Sequence, residues 1–255
     1  MRKASNHSKG YYRDLKVLDH LERCTCLNTD QIHLLEFTGI TIDMVHRCCR
    51  RLERKHRIRR GERLSFSEKD WFYLYDAKKP GNIEHTLGKS WVYVFLVLNA
   101  RASGYRGFTF ENEPIEFLPA VKPDQFVTFD TSSTSKKIYF NEFTRQSSGN
   151  PFTKIKQYNA LAEKLISDRG AGIATYWWAD THKNVTFTVL IVTDGEQAAL
   201  DKLSKIIKRD KRFPYSVELL SLKAVKQFCY KLHLIKKEEL QCSQELKLVS
   251  QSSQY

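Results

Sequence analysis

Two carboxylates pose the first chemical question. Asp124 follows Pro123 at the head of the apolar run "QFVTFD", and Glu142 lies near the end of the run "KKIYFNEF". Both runs are short and rich in Phe, Tyr, Val and Ile, so both read as strands. The polar link "DTSSTSKK" between them reads as a turn. If the strands pair as a hairpin, Asp124 and Glu142 fall at the same end of the sheet. Carboxylates converging on one point offer hard oxygen ligands to Mg2+ or Mn2+, as a metal-dependent nuclease requires. Glu142 sits on a strand that should be half buried, where an unpaired carboxylate is costly. Such a site also needs a positive group near the scissile phosphate. Lys136, Lys137, Arg145, Lys154 and Lys156 compete for that place, and Glu111, Glu113 and Glu116 compete as further acids.

The elements that would position these groups follow from apolar patterning. Residues 11–75 contain three helical patterns, "YYRDLKVLDHLERC", "NTDQIHLLEF" and "TIDMVHRCCRRLERKH". Asn28 or Thr29 can cap the second, Gly39 follows its end, and Thr41 can cap the third. "RIRRGERL" then reads as a strand turning at Gly61, and "WFYLY" as its partner. This is the order of a winged helix-turn-helix over 11–76, with the third helix placed to enter a DNA groove. "AKKPGNIEHT" is a polar connection. His85 within it is expected to cap or pack near a helix start. "LGKSWVYVFLVLNARASG" predicts a helix, and three strands follow. The helix "FTKIKQYNALAEKLISDRG" comes next, then strands in "GIATYWWAD" and "VTFTVLIVTD". The helix "GEQAALDKLSKIIKRD" and a closing strand in "YSVELLSLKAV" complete the pattern. The reading is α+β, with a second domain over 84–238 built on a mixed central sheet with helices on both sides. Residues 243–255 read as a disordered tail.

Charge points to the partner. The chain of 255 residues carries a formal net charge of +13 and a pI near 9.4, which favours a polyanion, most commonly nucleic acid. The span 47–63 holds nine Lys or Arg against two Glu. Arg47, Arg50, Arg51 and Arg54 on the outward face of the third helix, with Lys55, Arg59 and Arg60, form the expected contact to double-stranded DNA. Several classes are excluded. There is no GxxxxGK[ST] loop, no GxSxG elbow and no His-x-His pair. "WVYVFLVLNA" is about half the ~20 residues of a membrane span, and no apolar run follows the basic start. None of the six cysteines forms a paired CxxC set, so a cytoplasmic protein with reduced thiols is expected.

Motif order adds a family resemblance. "FxxE" at 110–113, "PD" at 123–124, "ExxR" at 142–145 and "KIKQY" at 154–158 stand behind "EHTL" at 84–87 and the three-helix segment. Together they resemble the replication-relaxation family, and within it the MobC type of plasmid relaxase (the MOBC family), across roughly residues 11–225. The resemblance implies a restriction-endonuclease-like α/β domain of the PD-(D/E)xK kind. It implies a metal-dependent endonuclease nicking one DNA strand at a plasmid transfer origin. An accessory mobilisation protein and a coupling protein would be its partners. Asp124 and Glu142 would hold Mg2+ or Mn2+, with Glu113 as an added ligand. The lysine of the usual pattern is Thr144 here, so Lys154 on the following helix would supply the displaced charge. Tyr158 and Arg145 are further candidates by the same resemblance. Thr144 also supports an alternative: a non-catalytic DNA-binding accessory or transcriptional regulator with a degenerate nuclease fold. A replication initiator with two winged helices would need 87–225 to be mostly helical, and the strand-like runs argue against that.

Overall fold

The computed structural model describes residues 6–62, 69–114, 121–132, 135–145, 152–172 and 187–252. Residues 1–98 with 226–255 form one compact unit and residues 99–225 another. The limits of these units fall inside two helices.

The first unit begins with α1 (Asn6–Cys24), β1 (Leu27–Asn28), α2 (Thr29–Glu36) and α3 (Ile42–Arg54). Asn28 is the residue that caps α2. Its Oδ1 accepts from Gln31 N at 2.9 Å, and Gln31 Oε1 accepts from Asn28 N at 2.8 Å. This reciprocal box satisfies two donors that a helix start leaves open. Thr41 holds the N-cap position of α3, but its side chain makes no cap bond. α3 buries Val45, Cys48, Cys49 and Leu52, which recur at helical spacing, and so turns its arginines outward. β2 (Ile58–Arg60) and β3 (Trp71–Leu74) follow, and the three strands form an antiparallel sheet in the order β1-β3-β2. Gly61 is required where β2 meets β3, because an added Cβ would stand 1.8 Å from the Trp71 ring.

α4 (Ile83–Ala102) is the helix that the long apolar run predicts. Asn82 Oδ1 accepts from His85 N at 3.1 Å, so Asn82 does the capping and His85 sits in the first turn. α7 (Leu222–Ser252) extends through most of the expected tail. No Gly or Pro interrupts 222–252, which removes the strongest helix breakers.

The second unit contains β4 (Arg106–Asn112), β5 (Gln125–Asp130), β6 (Lys136–Thr144), α5 (Phe152–Gly170), β7 (Thr188–Thr193), α6 (Gln197–Asp210) and β8 (Ser216–Ser221). They build one five-stranded mixed sheet, β4-β5-β6-β7-β8. β4, β5 and β6 are antiparallel, while β6, β7 and β8 are parallel. The crossovers α5 and α6 both step in one direction along β6-β7-β8, so they cover the same face of the sheet. Ile155, Tyr158, Leu161 and Ala162 of α5 and Ile207 of α6 pack there on Phe126, Phe140, Val189 and Ile191. Ser221 ends β8 and starts α7, its Oγ accepting from Ala224 N at 3.0 Å, so the end of "YSVELLSLKAV" is helix. The strand expected in "GIATYWWAD" lies outside the described residues apart from Gly172. The fold is thus α+β, and no helix among the described residues is long and apolar enough to cross a membrane.

Candidate active site

The β5–β6 hairpin sets Asp124 beside the end of β6. Gln125 faces Asn141 across the ladder, and Asp124 Oδ2 accepts from Phe143 N at 2.8 Å. Strand alternation turns Phe140 and Glu142 to the face covered by α5. There Glu142 is buried, at 7 % exposure. Its Oε1 accepts from the Tyr158 hydroxyl at 2.6 Å, and its Oε2 lies 3.0 Å from Lys154 Nζ. Lys154 and Tyr158 are four residues apart on α5 and therefore share a helix face. The Lys154 ammonium also donates to the Lys122 carbonyl.

Burial is the main force on Glu142 and pushes its carboxyl up to about 7. Lys154 pulls it down, the Asp124 charge pushes it up, and the Tyr158 and Lys154 hydrogen bonds pull it down. Burial and the Glu142 charge together hold the Tyr158 phenol well above its ordinary range. Tyr158 is therefore a hydrogen-bond donor and not a ready nucleophile. Burial also raises the Cys26, Cys49 and Cys229 thiols to about 12, which argues against a thiolate nucleophile there.

Among the competing cations, Lys154 is the one the structure sets on Glu142. Lys136 and Lys137 open β6, about 17–20 Å away along the strand. Lys136 stands 3.8 Å from Asp130. Lys156 is exposed on α5. Arg145 Nε lies 3.8 Å from Asp194 Oδ2, so Arg145 is turned toward the end of β7. Thr144 closes β6 opposite Thr193. Glu113 has a left-handed backbone (φ 48°) and its N donates to the Asp124 carbonyl at 2.9 Å, but its side chain is exposed. Among the described residues, no group of three or more His, Cys, Asp or Glu side chains converges as a metal site. Glu116 lies outside the described residues.

The donor set nevertheless suits a hard divalent cation. Two carboxylates lie close enough that Asp124 raises Glu142, and a shared cation would reverse that repulsion. Mg2+ commonly takes one or two protein carboxylates and completes its shell with water and phosphate oxygens. Comparison with known proteins adds nothing to this geometry: no family model, no curated protein and no solved structure matches the chain.

The basic cluster of the first unit divides in two. Arg51 Nε donates to Asp14 Oδ2 at 2.9 Å, and Arg51 Nη2 donates to Asp14 Oδ1. Arg60 bonds Glu53 at 2.9 and 3.2 Å and Asp70 at 3.2 Å. These two guanidinium groups are committed to intramolecular pairs. Arg59 lies over the Tyr75 ring, 4.3 Å from its centroid. Arg47, Arg50, Arg54 and Lys55 are exposed.

Sequence reasoning missed Asp194, the partner of Arg145. Its only signal is an acid directly after the apolar run "TVLIVT". It also missed the Lys122 carbonyl, whose role depends on chain path and not on side-chain type.

Proposed function

We propose that this chain is a DNA-binding, metal-dependent endonuclease that nicks one strand at a plasmid transfer origin. The observation that carries the reading is the junction of Asp124, Glu142 and Lys154 at one end of the β5–β6 hairpin. Residues 11–76 of the first unit are read as a winged helix-turn-helix, with α3 as recognition helix and β2–β3 as wing. Arg47, Arg50, Arg54 and Lys55 present the exposed charge for a duplex, with Arg59 beside them. The second unit is read as a restriction-endonuclease-like domain.

Asp124 and Glu142 would hold Mg2+ or Mn2+, which would supply Lewis-acid polarisation of a phosphate oxygen. The chain's own contributions follow from its contacts. Phe143 N fixes the Asp124 carboxylate at the hairpin end. Tyr158 holds one oxygen of Glu142 in place. Lys154, half exposed and reaching from the first turns of α5, offers an ammonium that can turn from Glu142 to a phosphate and stabilise its charge. Lys154 thus stands in for the lysine that Thr144 replaces.

One observation favours a second reading. Both oxygens of Glu142 already have donors, and Lys154 neutralises the carboxylate without a metal. A DNA-binding regulator with a degenerate nuclease fold would look the same. The test is conversion of supercoiled plasmid carrying the cognate transfer origin to open circles with Mg2+ or Mn2+. Nicking by the wild type that disappears in Asp124→Asn and Lys154→Met supports the nuclease. Tight origin binding without nicking under either metal leaves the regulator.

A further inference from the structure

We infer that α6 carries a second contact surface for the DNA backbone, on the unit that holds the carboxylates and separate from the α3 arginines. Residues 201–212 contain six cations, Lys202, Lys205, Lys208, Arg209, Lys211 and Arg212, against Asp201 and Asp210. A concavity of about 520 Å3 runs along this helix, lined by Ala198, Asp201, Lys202, Lys205, Ile206 and Arg209.

The ordinary explanation of a basic helix face covers only part of this set. Cations in the last turn of a helix offset its dipole, which accounts for Lys208 and Arg209. Arg209 is also bonded to Asp210 at 2.7 and 2.9 Å. Lys202 and Lys205 sit nearer the middle, where the dipole gives them little. Asp201, adjacent to Lys202 in sequence, accepts from Gln197 Nε2 at 2.9 Å, and no ion pair to Lys202, Lys205 or Lys208 forms among the described residues. Lys202, Lys205 and Lys208 follow one another at three-residue spacing, so like charges stack on one helix face and repel. A polyanion removes that repulsion.

The spacing suits nucleic acid. Lys202 to Arg209 covers about 10 Å of helix axis, over which a duplex presents about six phosphate charges. Side chains that rotate freely match a phosphate row without reading bases. α6 therefore adds affinity independent of sequence, while the α3 arginines lie where sequence could be read. This rests on the DNA-binding part of the proposed function and not on metal catalysis.

The test is fluorescence anisotropy of the full chain on a short labelled duplex of mixed sequence, titrated across salt concentrations. The variants are Lys202→Gln/Lys205→Gln/Lys208→Gln and, separately, Arg47→Ala/Arg50→Ala/Arg54→Ala. Glutamine keeps the helix propensity of lysine, so folding is preserved. The expected result is that the lysine variant binds roughly tenfold or more weakly and its log–log salt slope falls by about 2–3. The arginine variant should retain residual, salt-sensitive binding that the added lysine changes abolish. A lysine variant with wild-type affinity and slope overturns the inference and leaves the α3 reading standing. Loss in the lysine variant with no effect of the arginine changes supports α6 and overturns the α3 reading. A wild type that does not bind the duplex at any salt overturns both.

Discussion

The ammonium of Lys154 stands 3.0 Å from Glu142 Oε2, reaching from the start of α5 to the end of β6. Glu142 is nearly inaccessible, and its other oxygen is held by Tyr158. A buried carboxylate with one cation, one hydroxyl and a neighbouring carboxylate is costly to keep charged. Its properties depend on which of these partners is present, and that makes them measurable.

The first consequence is a pH-dependent cost. The Glu142 carboxyl lies near 7 in the folded chain, against an ordinary value of 4.5. Between those values the folded state binds more protons than the unfolded state, so stability falls as pH rises through this window. The penalty is complete above about pH 7 and absent below about 4.5. Glu142→Gln removes it. The variant should gain about 1–3 kcal/mol relative to wild type on going from pH 5 to pH 8. Chemical denaturation at the two pH values measures the difference.

Tyr158→Phe isolates the hydroxyl. The ring packs with Phe140 and Phe187 and stays in the core, while the donor to Glu142 Oε1 is lost. The expected cost is about 1–3 kcal/mol at pH 8 and less at pH 5, where Glu142 is protonated. The Glu142 carboxyl should titrate higher than in wild type. Denaturation midpoints across pH report both effects.

Arginines of α3 that look alike in sequence should separate by assay. Arg51→Ala leaves Asp14, 6 % exposed, without its guanidinium, and should cost about 1–3 kcal/mol. Arg50→Ala or Arg54→Ala should change stability by less than about 0.5 kcal/mol. They should weaken duplex binding instead. Thermal melts paired with anisotropy distinguish the two classes.

The hairpin was legible because two short runs rich in Phe, Tyr, Val and Ile flank a polar turn, and the resulting register, Gln125 against Asn141, brings Asp124 to the end of β6 that carries Glu142. The α2 cap was legible only as a choice between Asn28 and Thr29, and the reciprocal bonds with Gln31 decide it for Asn28. The partners of charged groups were not. Asp14 is 37 residues from Arg51 and Asp70 is 10 from Arg60, and no local pattern announces either pair. Lys154 could not be chosen over its rivals by charge alone; the resemblance named it, and the α5 crossover brings it to Glu142. The handover from β8 to α7 was misread because "SLKAV" carries no period of its own, and the Ser221 cap decides it. The two compact units divide within α4 and α7, where composition does not change and the sequence carries no boundary signal.

The most direct test of the carboxylate site is Mn2+ binding to the full chain, followed by electron paramagnetic resonance from pH 5 to pH 9, for wild type, Asp124→Asn and Glu142→Gln. A site shared by Asp124 and Glu142 must displace the Glu142 proton. Wild-type affinity should then rise about tenfold per pH unit up to about pH 7 and level off above it. Either substitution should weaken binding at least about tenfold at pH 8. No Mn2+ binding, or binding that neither substitution alters, would mean that Lys154 is the only cation Glu142 takes.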